Sequence, residues 1–183
     1  MNEILKVIKS RRSIRKYLPD PLKKAELEAI IEAGLYAPSA HNDQPWHFTV
    51  IRDRALIDRI SEVSRKGMAE SGVDWMEKMA ANDNFHVFYG APAVVVVSMR
   101  KDAVSPLVDC SAAIENMLLA AESLDIGSCW IGLARFWFAA KDEVKRLNLP
   151  EGYEPCYAAA FGYKGHRPSA ALSRKENTVA WID

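Results

Sequence analysis

The sequence lacks the cysteine patterns of a disulfide framework or a zinc site. Its three cysteines, Cys110, Cys129 and Cys156, are widely spaced, odd in number and without a CxxC pair. Cys129 lies in an apolar stretch beside a tryptophan, which favours a core position over a nucleophilic one. Because free cysteines of this kind are typical of a reducing compartment, we expect a cytoplasmic protein without structural disulfides.

Long hydrophobic runs and an excess of one charge are also missing. The longest apolar run, residues 91–97, is much shorter than the about 20 residues of a membrane-spanning helix. The first residues alternate charged and apolar side chains, unlike a signal peptide. The 24 basic and 24 acidic residues cancel. No overall field therefore favours nucleic acid or an anionic membrane, and we expect neither as a partner.

The common signatures of nucleotide and metal chemistry are absent as well. The sequence contains neither GxGxxG nor GxxxxGK[ST], so it has no Rossmann or P-loop fingerprint. Its histidines, His41, His47, His86 and His166, are too scattered to predict a metal cluster. No catalytic triad or carboxylate pair is recognisable. These absences argue against a hydrolase or a metalloenzyme, and we expect no side chain that acts as an acid or base.

What the sequence does contain is a periodicity that predicts an α+β sandwich in a single domain, residues 1–183. Asn2 and Asp53 are predicted helix N-caps, and Gly127 is predicted to end the longest helix. The run 93–98 is apolar until Ser98, which predicts a central strand. We expect a short helical lid insertion at about 64–90 and a C-terminal arm at about 169–183, whose Leu172, Val179 and Trp181 must pack on something. Helices are predicted at about 3–10, 23–36, 54–63, 106–125 and 141–147, and strands at 46–51, 93–98, 128–133 and 157–163.

Three segments have the composition of a ligand site. Residues 11–16, RRSIRK, form a concentrated positive patch, here called the basic segment, which suits a phosphate or carboxylate but also a solvated turn. The loop 38–46 carries hydroxyl, amide and imidazole groups between two prolines that stiffen it. It either presents these polar groups to a planar ligand or is a plain polar connection between a helix and a strand. Residues 162–168, GYKGHRP, are either a second anion site or a surface turn.

Five segments taken in order resemble the nitroreductase family of flavin enzymes. They are RRSIRKY at 11–17, APSAHNDQPWHF at 37–48, GAP at 90–92, LDIGSCWIG at 124–132 and GYKGHRP at 162–168. The resemblance spans almost the whole chain. It implies an α+β sandwich with a central, mostly antiparallel sheet flanked by helices, and an interlocked homodimer that binds FMN at the subunit interface. The C-terminal arm would then pack on the neighbouring subunit.

The resemblance also assigns residues to the cofactor. Arg11 and Ser13 would contact the FMN phosphate and ribityl chain, with Arg12 nearby, while Arg15 would approach the N1 and O2 edge of the flavin ring. The partner chain would supply Pro38, Ser39 and Asn42. The other positions implied to bind FMN are Gln44 in the same loop, Trp130, Ile131 and Gly132 near the ring, and Lys164 and Arg167 at the phosphate.

The activity implied by the resemblance is transfer of hydride from NADH or NADPH to flavin N5, then of two electrons to a nitroaromatic, quinone or similar acceptor. Arg15 would tune the reduction potential of the flavin. The candidate substrate pocket consists of His41, Trp75, Phe85, Phe88 and Tyr89, and core packing is an equal alternative for the four aromatic residues. Two other functions stay open: specialised flavin chemistry, such as dehalogenation, flavin cleavage or dehydrogenation, and a flavin carrier or sensor with little turnover.

Overall fold

The computed structural model describes residues 2–168, 171 and 173–183. Within them, four strands form one antiparallel sheet in the order β1-β2-β4-β3, with helices on both faces. This architecture confirms the expected α+β class. The strands are β1 (Trp46–Ile51), β2 (Ala93–Arg100), β3 (Ile126–Trp130) and β4 (Tyr153–Tyr163). The helices are α1 (Glu3–Ser10), α2 (Lys24–Leu35), α3 (Arg54–Ala69), α4 (Asp74–Ala80), α5 (Pro106–Ser123), α6 (Arg135–Ala139) and α7 (Lys141–Val144).

Strand β2 is central, as its apolar sequence predicts. It pairs with β1 on one side and β4 on the other, and its four valines are completely buried. Val94 and Val96 pack into a core formed with α3, α4 and α6, whereas Val95 and Val97 pack under α2 and α5. Because alternate side chains of a strand point to opposite faces, one short strand contributes to both hydrophobic cores.

The helix starts follow the predicted caps, but the end of α5 does not. The Asn2 side chain accepts a hydrogen bond from the Ile4 amide at 2.8 Å, and Asp53 accepts one from the Ala55 amide at 2.9 Å. The prediction that Gly127 ends α5 is wrong, because α5 ends at Ser123 and Gly127 lies inside β3. Asp125, with φ 60°, takes the left-handed position after the helix instead.

The chain between β3 and β4 also differs from the prediction. Strand β3 ends at Trp130 rather than at residue 133, and a 3₁₀ turn at Gly132–Ala134 leads into α6. Helix α6 was missed because its sequence, RFWFA, has the aromatic composition of a strand. Helix α7 and the 3₁₀ turn Lys145–Leu147 together confirm the helix predicted around 141–147.

The lid insertion and the C-terminal arm remain predictions. Residues 64–90 contain the end of α3, all of α4 and most of an irregular connection, residues 81–92, here called the α4–β2 loop. In the described part of the tail, Val179, Trp181 and Ile182 are 70%, 86% and 98% exposed. Leu172 lies outside the described residues. No described helix combines the length and the apolarity needed to cross a bilayer.

Candidate functional site

The basic segment lies along the end of the sheet, beside β3. The Ile14 amide donates to the Ser128 carbonyl at 2.9 Å, and the Leu18 amide donates to the Tyr163 carbonyl at 3.0 Å. The Ile14 side chain is buried, whereas that of Arg15 is exposed. Because the backbone is bonded at both ends to the sheet, the position of Arg15 is defined by the fold rather than by a free loop.

The cations of this segment differ in their partners. The Arg12 guanidinium donates at 2.7 Å to the carbonyls of Lys9 and Arg11, so it satisfies acceptors at the end of α1. The Nε atom of Arg11 lies 3.7 Å from a carboxylate oxygen of Glu115 in α5. Arg15 forms no ion pair within the described part of the chain. Its positive charge is therefore available to a ligand.

Arg15 lines a cleft of about 420 Å³ between the end of β3 and helix α4. Its guanidinium carbon lies 5.8 Å from the centre of the Tyr89 ring, which is within the range of a cation–π contact. The cleft is lined by Arg15, Trp75, Met76, Met79, Val87, Tyr89, Cys129, Trp130, Ile131, Gly132, Leu133 and Arg135. These side chains give mainly apolar walls with two cations, a surface suited to a flat, electron-rich or anionic ligand.

The described residues that line this cleft include no aspartate or glutamate. Burial raises the pKa of the Cys129 thiol and outweighs the charge of Arg15 and the hydrogen bond to Ser13, which both lower the pKa, so the thiol is neutral near pH 7. Burial likewise raises the pKa of the neighbouring Tyr17, whose hydroxyl donates to the Ile14 carbonyl at 2.7 Å. A neutral thiol here agrees with the prediction that Cys129 is not a nucleophile.

The second basic turn is already balanced by carboxylates. The side chain of Lys164 is 7% exposed, and its Nζ atom lies 2.8 Å from Glu122 and 3.1 Å from Asp125. Arg167 also pairs with Asp125. These contacts join the end of β4 to the end of α5. A phosphate would have to compete with both acids, and the assignment of Lys164 and Arg167 to FMN remains a prediction.

The loop after α2 is firmly shaped but lies outside the cleft lining of its own chain. Ser39 Oγ accepts from the Gln44 amide at 3.0 Å, and Gln44 donates to Asn42 Oδ1 at 3.1 Å. His41 and Asn42 have φ values of 53° and 58° and are exposed. Pro38, Ser39, His41, Asn42 and Gln44 are therefore not among the residues that line the cleft with Arg15, and their assignment to the cofactor remains a prediction.

The aromatic candidates divide between the cleft and the core. Trp75 and Tyr89 line the cleft. Phe85 packs edge-on against Tyr89 with ring centres 6.1 Å apart, and Phe88 is completely buried in the core. The sequence analysis left core packing open for all four aromatic residues, and this alternative describes Phe88. The cleft is also lined by residues that the sequence analysis did not assign to it: Met76, Met79, Val87, Leu133 and Arg135. Of these, only Met76 and Met79 had a signal in the sequence, because they lie close to Trp75.

Comparisons with known proteins agree with this geometry. Residues 8–163 match the model of the nitroreductase family. A protein of Archaeoglobus fulgidus whose name gives it as an NADH dehydrogenase/NAD(P)H nitroreductase is 36% identical over 167 residues, covering 89% of this chain and 86% of that protein. A crystal structure of a nitroreductase with bound FMN from Bacteroides fragilis has a TM-score of 0.91 at 32% identity, with both chains covered completely. One from Desulfitobacterium hafniense, also with bound FMN, has a TM-score of 0.89 at 28% identity, again over both whole chains. The chain belongs to the nitroreductase family.

Proposed function

We propose that this protein is an FMN-dependent oxidoreductase that is reduced by NADH or NADPH and passes two electrons to a nitroaromatic, quinone or similar acceptor. One observation carries the proposal: Arg15, a cation without an ion-pair partner among the described residues, lines an apolar and aromatic cleft. The names of the relatives and the FMN bound in the two similar structures support the same activity.

The apolar walls of the cleft fit the flat ring of FMN, and its cations fit the negative charge of the cofactor. When bound, FMN supplies a ring that accepts hydride at N5 and gains negative charge towards N1 and O2. Arg15 would hold that charge, while Arg11, Arg12 and Ser13 are close enough along the chain to bind the phosphate and ribityl groups. Trp130, Ile131 and Gly132 would place backbone groups against the ring. Because Trp75 and the methionines of α4 make the opposite wall apolar, water would be largely excluded.

The lining also fits a reaction in which no side chain transfers a proton. Among the described residues that line the cleft there is no histidine, aspartate or glutamate, and the Cys129 thiol is held neutral by burial. The chain's contribution is then to position two flat rings face to face and to stabilise negative charge with Arg15.

The proposal includes a homodimer with FMN at the subunit interface. Helix α1 exposes Ile4, Leu5 and Ile8, and the tail exposes Val179 and Trp181. Exposed apolar groups on a helix and on an extended tail are a surface suited to a second copy of the chain. The loop 38–44 of that copy would complete the cofactor site.

The proposal is tested by reconstituting the purified protein with FMN and recording its visible spectrum. Anaerobic addition of NADH and of NADPH, in separate samples, should bleach the flavin absorbance with at least one donor. Addition of a nitroaromatic or a quinone should then restore it, and steady-state oxidation of the donor should depend on that acceptor. A protein that stays colourless after reconstitution would contradict FMN binding, whereas bound flavin without bleaching would favour a carrier or sensor.

A further inference from the structure

His86 has an unusual set of partners in the α4–β2 loop. Its Nδ1 atom accepts hydrogen bonds from the amides of Phe88 at 3.1 Å and Gly90 at 3.4 Å. Its Nε2 atom lies 3.0 Å from Oδ1 of Asp58 in α3. Because two donors point at Nδ1, only the neutral ring with its proton on Nε2 satisfies all three contacts.

Helix α3 also holds the same loop through Arg54 and Ser61. Arg54 pairs with Asp58, with Nε at 2.9 Å from Oδ1, and donates from Nη1 to the Gly90 carbonyl at 3.2 Å. The Ser61 hydroxyl accepts from the Val87 amide at 2.9 Å in a buried position. Several hydrogen bonds therefore attach the loop to α3, and the His86 imidazole lies at the centre of these contacts.

The conformation that these contacts fix is one that the loop would not adopt freely. Tyr89 has φ 55° and Gly90 has φ 71°, both in the left-handed region, which a tyrosine rarely occupies. The Tyr89 side chain lines the cleft, and its ring lies beside the Arg15 guanidinium. A change in the turn would therefore move a wall of the cleft and a neighbour of its cation.

We propose that His86 is a positioning residue for the flavin site: its neutral ring fixes the Tyr89–Gly90 turn, and the turn fixes Tyr89 against Arg15. Protonation of Nδ1 would place an N–H opposite the amides of Phe88 and Gly90. Both hydrogen bonds would then be lost, while the contact from Nε2 to Asp58 could remain. The link to flavin rests on the proposed function, whereas the effect on the loop does not.

The charged groups that act on the ring, among the described residues, all come from α3. Burial lowers the pKa of His86 below its ordinary 6.5, and the charges of Arg54 and Arg65 lower it further, whereas the hydrogen bond and charge of Asp58 raise it. The net direction is downward, so the ring is neutral at pH 7. Because the unfolded chain takes up this proton at higher pH than the folded chain does, stability falls as the pH drops below 6.5 towards the folded value.

Hydrogen exchange on the protein without flavin tests the loop directly. Between about pH 7.5 and about pH 5, the protection factors of the Phe88 and Gly90 amides should fall by about tenfold, the effect of losing buried hydrogen bonds. His86→Asn offers an acceptor that does not titrate and should keep its protection at both pH values. His86→Leu should lose it at both. The proposal is overturned if the wild-type amides are equally protected at both pH values, or if His86→Asn loses protection at low pH as the wild type does.

The flavin link is tested on the FMN-loaded protein with the same variants. The ratio of FMN dissociation constants between wild type and His86→Asn should rise about fivefold from about pH 7.5 to about pH 5. A ratio is needed because the FMN phosphate itself titrates at about pH 6. His47→Asn, on β1, is the matched control and should follow the wild type. A pH-dependent loop with a constant ratio would overturn the link to Arg15, and absence of FMN binding would instead count against the proposed function.

Discussion

At the scale of single residues, what distinguishes the candidate site is which charges have partners. Lys164 and Arg167 face the acids Glu122 and Asp125, and Arg12 faces backbone carbonyls. Arg15 faces an aromatic ring. A carboxylate partner would neutralise the charge of Arg15, whereas a cation–π contact leaves most of that charge available to a ligand.

Arg15→Ala is expected to lower the two-electron potential of bound FMN by roughly 30–60 mV, which corresponds to about 1.4–2.8 kcal/mol. The reason is that a cation near the flavin stabilises the charge gained on reduction. The potential can be measured by equilibration with a reference dye. Arg15→Lys should retain much of the effect, and Arg146→Ala, outside the cleft lining, should have none. An unchanged potential in Arg15→Ala would contradict the assignment.

Lys164→Met is expected to destabilise the protein by about 2–3 kcal/mol in urea unfolding. The substitution leaves the largely buried carboxylate of Glu122 without its cation, and uncompensated buried charge is costly. Adding Glu122→Gln should recover part of the loss, because the stranded charge is then removed. Wild-type stability in Lys164→Met would show that the Lys164–Glu122 ion pair does not stabilise the contact between the ends of β4 and α5.

At the scale of elements, one contact between a glycine and an isoleucine sets the distance between the basic segment and the sheet. A Cβ atom at Gly127 would lie 2.9 Å from Cγ2 of Ile14 and 3.2 Å from the Gly162 carbonyl. The glycine therefore serves packing in β3 rather than termination of α5. Its spacing after a helix pointed to the wrong role, because the sequence does not show what lies across from it.

Gly127→Ala is expected to destabilise the fold by about 1–3 kcal/mol and to weaken FMN binding, since it pushes the basic segment away from β3. Thermal unfolding and flavin titration measure the two effects. Gly132→Ala, where an added Cβ meets nothing within 4 Å, is the stability control. In a double-mutant cycle with Ile14→Ala, the two changes should couple by at least about 0.5 kcal/mol. Strict additivity would count against the clash.

At the scale of the whole molecule, one chain presents only part of the proposed site. The loop 38–44 is held by internal hydrogen bonds and is largely exposed, and Val179, Trp181 and Ile182 in the described part of the tail are also exposed. Both features have a common explanation in a second copy that receives the tail and supplies the loop. The domain limits and the arm, like the dimer, are proposals that follow from this incompleteness.

Removal of residues 169–183 is expected to weaken the dimer and, with it, FMN binding. Sedimentation velocity over a range of concentrations should show the monomer in the shortened chain where the full chain is dimeric. Trp181→Ala should give a smaller effect in the same direction, and Lys175→Ala should give none. A full-length chain that is monomeric at all concentrations would contradict the interlocked homodimer.

The sequence by itself determined the class of fold and the family. Apolar spacing located β2, α2 and α5, because the period of burial in a strand or helix is a local property. The order of five short segments was enough to identify the family. The same reasoning placed Arg15 in a candidate site, since its neighbours along the chain already formed a positive patch.

Only the tertiary structure decided how these pieces meet. It showed that Gly127 contacts Ile14, that Lys164 is held by acids from the end of α5, and that His86 bonds to Asp58 in α3. It also brought Arg135 and the methionines of α4 into one cleft with Arg15. Each of these contacts joins residues that are distant in sequence, and their distances depend on how the helices pack on the sheet. Local periodicity shows which face of an element is buried, but it does not show which residue lies opposite.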